Sequence, residues 1–162
     1  MFPASVFPAS VFLASVLTLT GCSSAAEVAA PTPAGPAAAA CRALAGVLPQ
    51  QLADQPRRRT LPPSPFTAAW GDPAITLRCG VGLPASYAPT AVCTSIDGVD
   101  WLPGANGRSG PYTAVGRAAF VAVEVPAGFD PARSVVTLTD LSPAIAAAVP
   151  VSAAPGCAPA PS

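Results

Sequence analysis

An α+β domain is the fold this sequence predicts: a small antiparallel sheet of four to five strands, packed against N- and C-terminal helices and stapled by disulfides. Three observations carry that prediction. Apolar residues recur at helical spacing around residue 40, and they alternate with a period of two between residues 75 and 125. An Asp-Gly dipeptide lies between two stretches of strand-like composition, where a tight hairpin turn needs it.

The first helix is expected over about 38–48. Cys41, Leu44 and Leu48 fall at i, i+3 and i+7 and form one apolar stripe, and Pro49 breaks the run. A short turn is expected over Gln50–Asp54. Arg57-Arg58-Arg59 follows in a proline-flanked segment. Three arginines suit lipid phosphates or an acidic wall polymer, but they are fewer than the clusters that mark lipid binding, so the segment reads as a solvated loop.

Strands begin near Ala68. Ile75, Leu77, Cys79 and Val81 alternate with Thr76, Arg78 and Gly80. The hairpin signal is Val92–Ile96, Asp97-Gly98, Val99–Pro103, since both central residues of a type I′ turn take positive φ. Its register sets Thr94 opposite Trp101 and Ser95 opposite Asp100, leaving Val92, Ile96, Val99 and Trp101 on the core side. Pro103–Pro111 is glycine-rich but lacks the Gly-Lys-Ser/Thr ending of a phosphate loop, so it reads as a plain loop. A second hairpin is expected from Tyr112–Val115 and Ala118–Val125 around Gly116-Arg117, with Ala119, Val121, Val123 and Val125 on one face. Val135–Leu138 reads as a short strand or an extended lead-in. Ser142 and Pro143 read as N-cap and first residue of a last helix, running to about Val149 and stopped by Pro150.

Residues 1–21 have the length of a secretory leader, with an apolar run from about Val11 to Leu19, too short to span a bilayer. No lysine or arginine precedes that run. A near-tandem pentad (Phe2–Val6, Phe7–Val11, Phe12–Val16) fills the start and reads as duplicated leader sequence. The run ends in Leu19-Thr20-Gly21-Cys22, which resembles a bacterial lipobox. In such proteins the chain is cut before the cysteine, whose sulfur carries a diacylglyceryl group. Two acyl chains hold a protein stably on a membrane where one does not. The expected plan is therefore a signal peptide over 1–21, lipid attachment at Cys22 and a Pro/Ala-rich tether over 22–37. One domain over 38–152 and a Pro/Ala-rich tail over 153–162 complete it. The expected location is the outer face of the bacterial cytoplasmic membrane, with no cofactor beyond the lipid on Cys22.

Four cysteines then remain: Cys41, Cys79, Cys93 and Cys157. An even number in an exported chain points to disulfides. With no histidine and no Cys-x-x-Cys pair, a metal site is not expected. Cys79–Cys93 is preferred because it closes a short local loop, and Cys41–Cys157 because it ties the start of the domain to its end. The hairpin register conflicts with the first pair. It turns Cys93 to the opposite face while Cys79 lies with its strand's apolar set, and a bridge needs Cβ atoms about 4 Å apart. Either a bulge reverses Cys93 near the start of its strand or the pairing differs, and the register is the weaker of the two inferences.

Charged residues make up 10% of the 162, the formal net charge is zero, and every basic residue is an arginine. No basic stripe marks a nucleic-acid partner. Lack of histidine removes a Ser-His-Asp triad, and bridged cysteines are not nucleophiles. Carboxylate-pair chemistry is the enzymatic alternative, an envelope hydrolase using Asp97, Asp100 or Glu124, although Asp97 and Asp72 suit turns better. Trp70, Trp101 and Tyr112 are candidates for a shallow surface binding a glycan, peptide or envelope lipid. The competing use of the two tryptophans is to fill the core of a small alanine-rich domain.

The chain also resembles a known group, the actinobacterial exported lipoproteins of domain-of-unknown-function family thirty-five fifteen. The resemblance covers about 41–150. It rests on Cys41-Arg42-Ala43-Leu44, on Ala69-Trp70-Gly71-Asp72-Pro73 before Leu77-Arg78-Cys79-Gly80-Val81, on Asp97–Trp101, and on Val115-Gly116-Arg117 with Val121–Val125. It implies a lipid-anchored exported domain and supplies no catalytic residues. The expected role is non-catalytic: binding a ligand, or docking onto another envelope protein.

Overall fold

Alternation of side chains along adjacent strands builds the middle of the molecule, which a computed structural model describes over residues 25–105 and 110–158. The strands are β1 (Ala26–Glu27), β2 (Gln51–Leu52), β3 (Gln55–Arg58), β4 (Thr60–Leu61), β5 (Thr67–Trp70), β6 (Ile75–Val81), β7 (Thr94–Ile96), β8 (Val99–Pro103), β9 (Pro111–Val115) and β10 (Phe120–Glu124). The helices are α1 (Gly35–Val47) and α2 (Pro131–Ala148). Eight strands form one antiparallel sheet in the order β2-β3-β5-β6-β10-β9-β8-β7, and β1 pairs with β4 in parallel. The α+β class therefore holds, with more strands than the four to five expected.

Both helices cover one face. Ile75, Leu77 and Cys79 of β6, Val121 and Val123 of β10, Ala114, Val99 and Trp101 pack there against Cys41 and Leu44 from α1, Leu48 just past its end, and Leu138, Leu141 and Ile145 from α2. Apolar alternation of this kind is what a half-buried strand requires. The Asp97-Gly98 hairpin keeps the expected register, with Thr94 opposite Trp101 and both turn residues at positive φ. Val92 is the exception. It lies before the strand and is 72% exposed, not in the core.

The C-terminal third differs from expectation. Val135–Leu138 is helical, because α2 starts at Pro131 behind Asp130, whose carboxylate accepts from the Arg133 amide at 2.8 Å. Ser142 and Pro143 consequently lie inside the helix. Proline is tolerated there because position 143 is on the exposed face, where water can hydrate the carbonyl it leaves unmatched. Ser142 is buried, accepts from the Trp101 indole at 3.0 Å and donates to the Leu138 carbonyl at 2.7 Å.

Disulfides join Cys41 to Cys79 and Cys93 to Cys157, with Cα–Cα distances of 5.5 and 5.7 Å. This corrects the expected pairing of Cys79 with Cys93 and Cys41 with Cys157. Cys79 faces the helical side of β6 and meets Cys41 on α1. Cys93 precedes β7 outside that layer and meets the returning tail. The tail is fixed there by Gly116, whose amide donates to Pro155 and whose carbonyl accepts from Ser152, and by Ala158 donating to Ala91.

The N-terminal segment is also more ordered than a tether over 22–37. Ala26 donates to the Arg59 carbonyl at 2.9 Å and Val28 to Leu61 at 3.0 Å. Ala26 and Val28 pack on Ala69 from the face without helices. Pro33 then closes on Gly80, a φ of +84° where a Cβ would collide with the proline ring, before α1 begins. No described helix is long and apolar enough to cross a membrane. The leader, the lipid-attachment position Cys22 and part of the Gly-rich loop lie outside the described residues.

Candidate functional site

Burial settles the aromatic candidates first. Trp70 and Trp101 are each 0% exposed. Their indole N–H groups donate inward, Trp70 to Pro49 and Trp101 to Ser142, both at 3.0 Å. Tyr112 is half-buried and packs on the same core. The expected ligand surface of Trp70, Trp101 and Tyr112 is thus corrected for both tryptophans, whose large rings complete a core of alanine, valine, leucine and isoleucine.

Glu124 stands away from the other carboxylate candidates. Asp97 occupies the β7–β8 turn at φ 48°. Asp100 pairs with Val115, and Glu124 with Pro111 at the other end of β9. Two strand spacings and four residues of rise set Asp100 and Glu124 roughly 16 Å apart at Cα, against the 5–9.5 Å between carboxyls that glycosidase chemistry uses. Among the described residues no three of His, Cys, Asp or Glu gather as a metal site.

What the fold does bring together lies on the face without helices, beside the first described residues. One cavity of about 360 Å³ is lined by Ala25, Arg57, Arg58, Arg59, Leu61 and Ser64. A neighbouring one of about 470 Å³ is lined by Glu27, Arg58, Asp72, Thr76 and Glu124. Arg58 belongs to both, reaching the Gly71 carbonyl at 2.6 Å and the Asp72 carboxylate at 3.5 Å. A basic and an acidic basin thus share one guanidinium.

The three arginines are not the solvated loop expected of them. Strand alternation in β3 sends Arg57 and Arg58 to opposite faces, since Arg57 pairs with Trp70 and Arg58 with Ala69. The Arg57 guanidinium lies 5.2 Å from the Trp70 ring centroid and caps it. Burial lowers the Arg57 pKa from its ordinary value. Arg59 is left exposed, next to Leu61, Pro62 and Pro63, which are exposed too.

A fourth arginine escaped sequence reasoning. Arg117, expected in a hairpin turn, is 4% exposed and donates to the carbonyls of Val149 and Gly98, both at 2.6 Å. It joins the end of α2 to the β7–β8 turn. Burial lowers its pKa, and the Asp100 charge partly offsets that. The one available signal was its isolation, the only charge between Pro111 and Val123.

The family described as "Protein of unknown function (DUF3515)" matches residues 4–154. The chain belongs to this family. No curated protein and no solved structure matches the chain. The matched region spans the sheet, both helices and three of the four bridged cysteines, ending just before Cys157, and it also takes in the segment ahead of the described residues. It assigns no chemistry to either basin.

Proposed function

We propose that this family member is an exported lipoprotein of the actinobacterial type, held by diacylglyceryl on Cys22 at the outer face of the cytoplasmic membrane. Its folded domain acts as a non-catalytic binding or protein-docking module. The observation that carries the reading is Leu19-Thr20-Gly21-Cys22 at the end of an apolar run. Three further facts support it. The family match starts at residue 4 and so includes that run. Every cysteine after Cys22 is bridged, which fits an oxidising exterior. Among the carboxylates offered for hydrolysis, Glu124 stands well apart from Asp97 and Asp100.

Two acyl chains suffice for stable attachment without a membrane-crossing helix. The test is intact mass and sedimentation. The mature chain is expected to begin at Cys22, carry a diacylglyceryl adduct and pellet with membranes, and Cys22→Ala is expected to lose the adduct and the attachment. Equal attachment of the Cys22→Ala chain would sink the anchor. Crosslinking in intact cells separates the two roles: a reproducible protein neighbour supports docking, and capture of lipid alone counts against it.

A further inference from the structure

The domain is tied down almost where the anchor begins. Because the Ala26 amide bonds the Arg59 carbonyl, only four residue steps separate Cys22 from the β1–β4 pair. Fully extended, those steps reach roughly 14 Å. The sheet is larger than that leash: five strand spacings from β5 to β7 put the Asp97-Gly98 hairpin roughly 24 Å away. A lipid on Cys22 therefore does not hold the domain at arm's length. It selects which side faces the bilayer.

That side carries a distinct surface. Arg59 is exposed, Leu61 is 53% exposed, and Pro62 and Pro63 are exposed beside it. A guanidinium next to a short apolar edge suits a phospholipid interface, where apolar contact and attraction to anionic lipid add. Arg57 and Arg58 are engaged on Trp70 and on Gly71 with Asp72, so Arg59 is the arginine turned outward. Glu27, Asp72 and Glu124 line the adjoining basin, and an anionic membrane repels them. Their placement tilts the domain toward its Arg59 side.

We infer that Arg59, Leu61, Pro62 and Pro63 rest on the phospholipid surface that holds Cys22, the guanidinium on lipid phosphates and the Leu-Pro-Pro edge among the headgroups. This rests on acylation of Cys22. The domain then stands with its β1–β4 edge down and presents α2, with the exposed Val135 and Val136, away from the membrane.

The experiment uses the full acylated chain in phosphatidylcholine vesicles containing phosphatidylglycerol, with a benzophenone amino acid at position 61 or at position 136. Cys22 mass is read on the same samples, and matched unfolding midpoints show that each labelled chain folds. Lipid adducts are expected predominantly from position 61. Arg59→Ala is expected to lower that yield about fivefold, the worth of one arginine near an anionic surface, and to change little in vesicles of phosphatidylcholine alone. With acyl chains present, equal adducts from both positions, or an Arg59→Ala chain that behaves as the parent, overturn this inference and leave the anchor standing. Absence of acyl chains overturns both.

Discussion

Strands β6, β10, β9 and β8 are held by side chains withdrawn from water, whereas the turn of the β2–β3 edge is held by side chains gripping backbone. In the middle, Ile75, Leu77, Val121, Val123 and Trp101 lie between 0 and 1% exposed against two helices. At the edge, β2 has two residues, and the turn Ala53-Asp54 takes positive φ at both positions without a glycine. Left-handed backbone in such residues costs roughly 1–2 kcal/mol each, so something must hold them. Asp140 accepts from the Ala53 amide at 3.0 Å, and Arg133 donates to the Ala53 carbonyl at 2.9 Å, both from α2. Burial fixes the middle; at the edge Leu52 is buried as well, but the turn beside it is fixed by directed bonds.

The largest expected loss breaks the middle. Cys41–Cys79 joins α1 to β6 across 38 residues. Loop-closure entropy for that span gives about 4 kcal/mol. Cys41→Ala with Cys79→Ala should lower denaturant stability by about that much, with near-full reversibility and the Cys93–Cys157 bridge intact by mass. A loss well under 1 kcal/mol would mean that packing of Leu44 and Ile145 already confines the unfolded chain.

Arg117→Ala should rank next. It strands the Val149 and Gly98 carbonyls, each deprived of a charge-assisted bond that contributes roughly 1.5–3 kcal/mol. A total near 3 kcal/mol is expected in denaturant unfolding, accompanied by faster amide exchange at the end of α2 and in the β7–β8 turn. Uniform exchange throughout the domain would argue against Arg117 as a local join between α2 and the β7–β8 turn.

The same contrast decides what the sequence could disclose. Alternation in Ile75–Cys79 and Ala119–Val125 and the Asp97-Gly98 turn are local signals, and they located four strands with the hairpin register. The β2–β3 turn has no such signal, because Ala-Asp adopts it only under Asp140 and Arg133, some 80 residues away. In α2, Ser142-Pro143 mimics a helix start while the real one, Asp130-Pro131, lies a dozen residues earlier. Pairing of the cysteines depended on which face each occupied: the register already placed Cys93 on the wrong side for Cys79, and that geometry was a better guide than loop length. The two basins were illegible, since Glu27, Asp72 and Glu124 come from segments with no common pattern.

The smallest expected effect sharpens the comparison at its weak side. Asp140→Ala leaves the part-buried Ala53 amide without its acceptor, which costs about 1–2 kcal/mol. Arg133 grips the carbonyl of the same residue, so the two side chains act on one turn and should not add independently. A double-mutant cycle of Asp140→Ala with Arg133→Ala should show coupling of about 0.5–1 kcal/mol, because once one grip is gone the turn can relax from its left-handed backbone and the other holds less. Amide exchange should locate the opening at the Ala53 and Arg57 amides, the latter bonded to Gln50, ahead of any change in β6 or β10. Additive losses with exchange spread into the central strands would instead make the edge part of the same cooperative unit as the core, and the division of forces drawn between them would fail.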